Sequence, residues 1–414
     1  MAGAVDQGGL GHRVRGSRGL RDVSRAWEVA RVFLTLGAIS YGGPAMMGVM
    51  QAEIERKRQW VSRERFVEGL ALVNFLPGPL AAQLSIVLGY ARAGWLGGVL
   101  GGLGFIVPGF VIMLALTVIY TRYGTLPALR GIFYGLSPVV IGIFAVAVYR
   151  LGRSAIKDAP QVVVAVASAL MIGLTPLGIV PTMLLAGAAG VAVYASRTWG
   201  VVAAALVGVA AVGLRLVTVS GGAMPAALQA PADAVTSPSL WRLGGFFLKV
   251  GAFTFGGGLP ILAFVEDQVV RQFRWLTAQE FLDGLALGQL TPGPIITLAA
   301  FVGYRVAGLA GAVVSAVAIF LPSFVLVLAF VPFFDRIRRV RWMSAALKGL
   351  APAVIGMTTV ALAQMLPHAA PDVLTGGLVV ATVLAMVARG VGPLPLMAAG
   401  AVVGAVVRAA LGAR

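Results

Sequence analysis

Two pairs of helix-breaking motifs lie inside apolar stretches of this chain. One pair is Gly42-Gly43-Pro44 and Gly256-Gly257-Gly258, and the other is Pro77-Gly78-Pro79 and Pro292-Gly293-Pro294. Glycine pairs and prolines interrupt helical hydrogen bonding, and unpaired backbone is tolerated in a bilayer only against protein or a watery cavity. A helix that restarts after such a break points its N–H groups and the positive end of its dipole into that cavity. The motifs predict helix starts that converge on an anion, with close helix packing through small residues as the structural alternative.

Polar side chains beside these breaks are candidates for binding such an anion. They are Ser40 and Asn74 in the first half and Thr254 and Gln289 in the second, with Gln83, Ser85, Thr291 and Thr297 as further polar neighbours. Hydroxyl and amide groups donate hydrogen bonds to an oxyanion without carrying a fixed charge. The alternative for each hydroxyl is a hydrogen bond to its own helix backbone. Lys249 lies in an apolar run, where a charge is expensive and commonly functional unless it snorkels to the interface.

Four carboxylates could carry protons if transport is coupled to them: Glu53, Glu68, Glu266 and Asp283. Carboxylates near helix starts also complement the helix dipole, which is the structural alternative. The chain has no cysteine, and its histidines are His12 and His368. These facts exclude thiolate metal sites and the Ser/His, zinc or cysteine machinery of an intramembrane protease. We therefore predict no enzyme activity, no cofactor and no metal.

The composition requires a membrane environment. Of 414 residues, 59% are hydrophobic and 11% charged, against about a quarter charged in an average soluble domain. Apolar stretches of about 20 residues, enough to cross a bilayer, recur along the whole chain. The net charge of +17 is spread over short basic clusters between these stretches, as in cytoplasmic loops, so it does not indicate nucleic-acid binding. The fold class predicted is an all-α polytopic membrane protein in the lipid bilayer.

The chain contains an internal repeat. Residues 33–43 are echoed by 247–257 at a displacement of 214 residues, and the echo continues through the Pro-Gly-Pro motifs to residues 135–142 and 349–356. Each copy holds six apolar segments, and one further segment near 199–218 joins the copies. An even number of crossings followed by a single linking helix predicts an inverted-topology repeat. The predicted units are a cytoplasmic basic arm (1–31), a first membrane repeat (32–195), a linking helix with an external connector (196–240) and a second membrane repeat (241–414).

The positive charges leave two topologies open. Arg150, Arg153 and the basic cluster at 336–348 fall on the cytoplasmic side if all segments cross, but the basic stretch 56–65 then falls outside. A reentrant first segment that dips in and returns would place 56–65 inside. The number of membrane crossings in each repeat stays even if the Pro-Gly-Pro segment is also a hairpin. Full crossing and reentry of the first two segments of each repeat both remain open.

The paired motifs, together with Trp60-Val61-Ser62, Gly89-Tyr90, Trp275-Leu276-Thr277 and Gly303-Tyr304, closely resemble the chromate ion transporter family in its long, two-domain form. The resemblance covers nearly everything after residue 31. It implies a multi-pass protein of the bacterial inner (plasma) membrane that exports chromate, gives chromate resistance and has sulfate as a related substrate. A passive anion channel, or a carrier of a different small anion, is the alternative. The coupling ion stays open, as do the half that binds the anion and the oligomeric state, for which a homodimer is compatible.

Overall fold

The computed structural model describes residues 10–41, 43–124, 126–175, 179–198, 239–254, 259–333 and 341–412. The α-helices are α1 (Leu10–Ile39), α2 (Gly43–Met50), α3 (Arg63–Phe75), α4 (Leu80–Tyr123), α5 (Pro127–Ala155), α6 (Ala159–Leu174), α7 (Ile179–Tyr194), α8 (Leu240–Ala252), α9 (Leu259–Glu266), α10 (Ala278–Leu290), α11 (Leu298–Phe330), α12 (Arg341–Ala369), α13 (Val373–Ala388) and α14 (Pro393–Gly412). π-Helical turns follow α2 (Gln51–Lys57) and α9 (Asp267–Gln272), and 3₁₀ turns flank α11 (Ile295–Thr297 and Val331–Phe333). Gly42, Gly256, Gly257 and the predicted linking helix lie outside the described residues.

Long apolar helices confirm the prediction of an all-α polytopic membrane protein. Five described helical stretches are long and apolar enough to cross a bilayer: Leu80–Tyr123, Pro127–Ala155, Ile295–Phe330, Ser344–Ala369 and Pro393–Ala410. Shorter apolar helices cover Ala159–Leu174, Ile179–Tyr194 and Val373–Ala388. Helix α1 begins at Leu10 and runs without a break past residue 31, so the predicted arm and the first repeat share one helix.

The two halves repeat the same elements in the same order, including their irregular features. Gln59 and Arg274, at equivalent positions after the π-helical turns, both have a φ of 52°. The long helices α4 and α11 both contain a sharp kink, where Gly94 and Gly308 have φ values of 61° and 62°. Matching local conformations at equivalent positions support the internal repeat. The inverted orientation of the halves stays a prediction.

The first segment of each half folds back on itself. In the first half, the chain leaves along α1 and returns along α2, so that the Trp60 ring lies 6.4 Å from the Phe33 ring and Arg58 lies 3.5 Å from Glu28. In the second half, the Phe246 ring lies 5.8 Å from the Trp275 ring. Described residues before and after each glycine motif therefore lie close together, as they do in a hairpin. This arrangement fits the reentrant alternative.

The Pro-Gly-Pro segments form a second hairpin in each half. Helices α3 and α10 each have 13 residues, which gives a length of about 20 Å against a hydrocarbon core of about 30 Å. A Cβ atom at Gly69 of α3 would meet the Val87 side chain of α4, and one at Gly284 would meet Phe301 of α11. Gly69 and Val87 are equally distant along the chain from Gly78, so the helices flanking the turn run antiparallel.

The remaining helices are exchanged between the halves, in that each packs against helices of the opposite half. Helix α5 of the first half packs against α13 and α14 of the second, and α12 of the second packs against α6 and α7 of the first. The approach is close because glycines meet: a Cβ atom at Gly135 would overlap the carbonyl oxygen of Gly400, and one at Gly349 would overlap that of Ala186. These exchanged helices hold the two sets of hairpins against each other.

Candidate anion-binding site

The hairpin tips of the two halves meet through a pair of equivalent hydrogen bonds. The Gly78 N–H donates to the carbonyl oxygen of Thr254 at 2.5 Å, and the Gly293 N–H donates to the carbonyl oxygen of Ser40 at 2.9 Å. Gly78 has a φ of 142° and Gly293 a φ of 97°, conformations that side-chain-bearing residues rarely adopt. Each Pro-Gly-Pro turn is therefore hydrogen-bonded to the end of the first helix of the other half, which is α8 for Gly78 and α1 for Gly293. We call this meeting of the tips the junction.

The junction differs in one respect from what the sequence predicts. Both glycine amides of the Pro-Gly-Pro turns are bonded to backbone carbonyl groups, so Gly78 and Gly293 do not offer free N–H groups to an anion. The helices do restart at these turns, since Pro79 caps α4 and Pro294 caps the 3₁₀ turn before α11, neither with a side-chain hydrogen bond. The N–H groups of a first helical turn have no partner within the helix. The donors left at the junction are those of the restarting turns.

Four buried polar side chains line the junction without a hydrogen-bond partner for at least one polar atom. They are Ser40, Gln83, Thr297 and Ser323, each at most 2% exposed. Among the described residues, the hydroxyl oxygens of Ser40, Thr297 and Ser323 and the side-chain oxygen of Gln83 are unpaired. A buried polar group without a partner costs about 1 to 3 kcal/mol. Such a concentration of unsatisfied groups is explained most directly by water or a ligand that binds there.

Contacts with the Pro-Gly-Pro turns place these side chains. The Gln83 amide donates to the Pro77 carbonyl oxygen at 2.6 Å, and a Cβ atom at Gly78 would overlap both the Gln83 amide and the Ser323 hydroxyl. Thr297 follows the other turn, where its N–H donates to the Pro294 carbonyl oxygen at 3.0 Å. Gln83 and Ser323 therefore lie beside the Gly78–Thr254 bond, and Thr297 and Ser40 belong to the segments that the Gly293–Ser40 bond joins.

The two sides of the junction are not chemically equal. Ser323 follows Pro322 in α11, and the equivalent residue after Pro108 in α4 is Gly109, 214 positions earlier. Gln83 and Thr297 are likewise equivalent in position but different in chemistry. Sequence reasoning missed Ser323, although comparison of the residues after Pro108 and Pro322 contained the signal. The side at Gly78 and Thr254 carries the larger number of side-chain donors and acceptors.

Other predicted binding residues bond elsewhere. Asn74 is exposed and its amide donates to the Leu70 carbonyl oxygen of its own helix at 2.7 Å. The Thr254 hydroxyl donates to the Val250 carbonyl oxygen at 2.7 Å, so Thr254 contributes its backbone to the junction. Gln289 is half-buried near the end of α10. The hydroxyl alternative stated for Thr254, a bond to its own backbone, is the arrangement observed.

Lys249 lies on an exposed face of α8, with its amine 5.8 Å from the centre of the Phe264 ring. An exposed amine on a flexible stem fits the snorkelling alternative. No hydrogen bond or ion pair among the described residues joins Lys249 to the junction.

Two cavities among the described residues lie beside other side chains. One, of about 440 Å³, is lined by Tyr149, Arg150, Arg153, Ser154 and Val387, and a small one, of about 10 Å³, is lined in part by Val250 and Phe253. Neither is lined by the unpaired polar side chains of the junction. The watery cavity at the helix breaks stays a prediction.

Three of the four candidate proton carriers are paired with cations. Glu53 accepts hydrogen bonds from Arg58 at 2.7 Å and Lys57 at 3.2 Å, and the bond from Arg58 lowers the pKa of this carboxyl group, which lies in the π-helical turn outside the membrane spans. Glu68 pairs with Arg65 at 3.2 Å and Glu266 with Arg271 at 3.2 Å. Glu266 differs from Glu53 because its side chain is buried, at 4% exposed, and burial outweighs Arg271 and raises the pKa of this carboxyl group.

Asp283 differs from the other three carboxylates. It is 6% exposed, and its oxygens accept hydrogen bonds from the Tyr120 hydroxyl at 2.7 Å and the Gln279 amide at 2.9 Å. Both donors are neutral. Within the described ranges, no cluster of three or more histidine, aspartate or glutamate side chains is arranged to hold a metal ion.

Comparison with known proteins gives one consistent result. The family model described as "Chromate transporter" matches residues 27–194 and 241–405. The "Probable chromate transport protein" of Synechococcus elongatus is 36% identical over 84% of this chain and 87% of its own length. The "Chromate transport protein" of Cupriavidus metallidurans is 33% identical over 86% of each chain. That of Pseudomonas aeruginosa is 37% identical over 83% of this chain and 82% of its own.

No solved structure matches this chain. The two matched regions correspond to the two copies of the repeat and stop short of residues 195–240, where the sequence predicts the linking helix. The matches cover most of the described helices, including both Pro-Gly-Pro turns and the junction. On the evidence of the family model and of these relatives, the chain belongs to the chromate transporter family.

Proposed function

We propose that this protein is a secondary carrier that exports chromate across the inner membrane of a bacterial cell, with its N-terminus in the cytoplasm. Family membership and relatives named as chromate transport proteins support chromate as the cargo. Chromate is a tetrahedral dianion, and sulfate has the same charge and shape. Sulfate is therefore the first competitor to test.

The membrane potential supplies a sufficient driving force for export. Moving one charge across the membrane is worth about 2.3 kcal/mol per 100 mV, so a dianion gains about 4.6 kcal/mol when it leaves a cell that is negative inside. The chain contains no Gly-x-x-x-x-Gly-Lys-Ser/Thr phosphate-binding loop. Export down this gradient lowers the chromate concentration in the cytoplasm, which is the physical basis for resistance.

One observation carries the proposal: four buried polar side chains without partners surround the junction of the two halves. Hydroxyl groups of Ser40, Thr297 and Ser323 can donate to oxyanion oxygens, and the restarting helix turns add N–H groups and positive dipole ends. These hydroxyl groups carry no fixed charge, which favours release of the anion as well as its binding. The helix-breaking residues of both halves are proposed to shape this binding site. They are Gly42, Gly43, Gly256 and Gly257 of the glycine motifs and Pro77, Pro79, Pro292 and Pro294 of the Pro-Gly-Pro motifs.

The same geometry suggests how access alternates. The Gly78–Thr254 and Gly293–Ser40 bonds both join one half to the other, so a rocking motion of the halves would separate the tips on one side at a time. This is the behaviour of a carrier with a central site between repeats. A passive anion channel is the alternative, because broken helices also line channels. A carrier predicts flux that saturates with chromate and exchange of bound chromate across the membrane.

The test is chromate uptake by inverted vesicles with sulfate as competitor. Ser323→Ala and Gln83→Leu remove polar atoms of the junction. Thr35→Val is the control, because Thr35 is exposed and its hydroxyl donates to the Arg31 carbonyl oxygen of its own helix. Loss of one hydrogen bond to a charged ligand is worth about 1.5 to 3 kcal/mol, so we expect roughly tenfold weaker apparent affinity or more for each junction variant. Wild-type affinity in both junction variants would contradict the site. Uptake abolished by ATP depletion while ion gradients persist would contradict a secondary carrier.

A further inference from the structure

We propose that Asp283 binds a proton whose occupancy is linked to that of the anion at the junction, so that the protein takes up a proton when the oxyanion binds. The inference rests on the proposed function. A proton that leaves the cell with the dianion reduces the exported charge from two to one, so the membrane potential then contributes half of the driving force that it gives to the dianion alone. It identifies a site in the second half of the chain that the first half does not share.

The surroundings of Asp283 are polar but neutral. The Tyr120 hydroxyl of α4 and the Gln279 amide of α10 donate to its two oxygens, and the same amide lies 3.3 Å from the Ser137 hydroxyl of α5. None of the ion pairs among the described residues includes Asp283. Two hydrogen bonds from neutral donors stabilise the ionised form of Asp283, but burial without a counter-charge destabilises that form. A nearby change in charge can therefore change the protonation state of Asp283.

The described charged groups near Asp283 do not form an ion pair with its carboxylate. Helix α10 packs against α4, α5, α11, α12 and α14. The titratable and charged groups that act on the Asp283 and Tyr120 pair are Glu280 on the same helix and Arg305 from α11. Arg305 is bonded to Glu280, so its charge is already partnered. Helix α5 contributes the uncharged Ser137, and the described parts of α12 and α14 contribute no hydrogen bond to Asp283.

The equivalent residue in the first half provides an internal comparison. Glu68 stands at the position of Asp283, but its side chain is 30% exposed and pairs with Arg65 at 3.2 Å. A buried carboxylate without an ion pair among the described residues therefore occurs at this position in the second half and not in the first.

Position along α10 explains why the two sites are linked. Asp283 lies seven residues before Leu290, the last residue of α10, which precedes the Pro-Gly-Pro turn. At 1.5 Å per residue this is about 10 Å, close enough for a dianion at the junction to repel an ionised carboxylate in a poorly polarisable interior. Repulsion favours the protonated form of Asp283 when the anion is bound. By linkage, the proton then raises the affinity for the anion to the same extent.

The test measures chromate binding and proton uptake together on the purified full-length protein. Wild type is expected to bind chromate more weakly as pH rises, by up to about tenfold per pH unit for one linked proton, and to take up a proton that a pH-indicator dye detects. Asp283→Asn should still bind chromate but lose both effects. Chromate itself takes up a proton, so each variant is compared with wild type at the same pH, where the contribution of the ligand is equal.

Two further variants separate proton binding from a structural role. Glu68→Gln should retain the wild-type pH dependence and proton uptake, whereas Tyr120→Phe removes a donor but leaves the carboxyl group and should retain proton uptake. If Asp283→Asn does not fold, infrared difference spectra of wild type should still show a carboxylic-acid carbonyl band that appears with chromate. Identical pH dependence in wild type and Asp283→Asn, or the absence of that band, would overturn the inference. Absence of chromate binding to wild type at every pH would instead overturn the proposed function.

Discussion

The N–H of Gly78 lies 2.5 Å from the carbonyl oxygen of Thr254, which joins the second hairpin of one half to the first hairpin of the other. The equivalent bond between Gly293 and Ser40 repeats this contact at 2.9 Å. Because both bonds cross between the halves, movement of one half relative to the other must break or remake them. The junction is thus both the place where polar groups collect and the place where motion would act.

Substitution of the turn glycines should distinguish the two sides of the junction. Both have positive φ values, and such strain costs about 1 to 3 kcal/mol for a residue with a side chain. A Cβ atom at Gly78 would also overlap Gln83 and Ser323, whereas at Gly293 the nearest described neighbour is the Cα atom of Gly109 at 3.8 Å. We expect Gly78→Ala to lower both thermal stability and chromate uptake more than Gly293→Ala. Equal effects in melting and uptake assays would contradict the placement of Gln83 and Ser323.

Glycine contacts between the exchanged helices should be essential to the scaffold. A Cβ atom at Gly135 would overlap the Gly400 carbonyl oxygen, while Gly245 has no heavy atom within 4 Å of such an atom. Overpacking a helix interface costs about 1 to 3 kcal/mol. Gly135→Ala should therefore lower the melting temperature. Gly245→Ala, within α8, should leave it unchanged or raise it, since alanine is favoured in helices by about 1 kcal/mol. An unchanged melting temperature for Gly135→Ala would show that α5 and α14 do not approach each other this closely.

The start of α13 should contribute stability that depends on pH. Asp372 caps this helix: its carboxylate accepts a hydrogen bond from the Thr375 N–H at 2.9 Å and one from the Tyr134 hydroxyl at 2.7 Å. The backbone bond from Thr375, followed by the bond from Tyr134, lowers the pKa of Asp372 in the folded state. A lowered pKa gives stability that is present above the unfolded-state pKa and lost as pH falls through the folded-state pKa.

Asp372→Ala should therefore destabilise the protein near neutral pH by about 0.5 to 2 kcal/mol, as for other lost helix caps. The difference from wild type should shrink in acid, where the wild-type carboxyl group is protonated. Thermal unfolding in detergent at several pH values measures both quantities. A destabilisation that grows as pH falls would contradict the assignment.

Much of the fold could be predicted from the sequence because breaks and repeats are local signals. Glycine and proline motifs specify where helices stop, and the displacement of 214 residues pairs the motifs of one half with those of the other. A hairpin at the Pro-Gly-Pro segment was one of the alternatives left open, but the contact of Gly69 with Val87 could not be predicted, since it depends on tertiary packing. The charge pattern of residues 56–65 indicated reentry without deciding it.

The candidate site was predicted in outline but not in detail. Ser40 and the two Pro-Gly-Pro turns lie at the junction, yet their amides bond to the opposite half, a partner that no local pattern specifies. Lys249 was chosen because it is a charge in an apolar run, but its exposed position follows from helix packing. Ser323 was missed because its signal lies only in the comparison of the two halves, where Gly109 stands at the equivalent position. Asp283 and Glu68 were treated alike because equivalent positions do not reveal unequal burial.

The central claim is that the oxyanion binds at the junction among Ser40, Gln83, Thr297 and Ser323. The most direct measurement is a structure of the protein with chromate, in which the anomalous scattering of chromium locates the anion without reference to the protein density. The account predicts a chromium peak within hydrogen-bond reach of these side chains, between the Gly78 and Gly293 turns. A peak found instead in the cavity beside Arg150 and Arg153, with the junction empty, would contradict it.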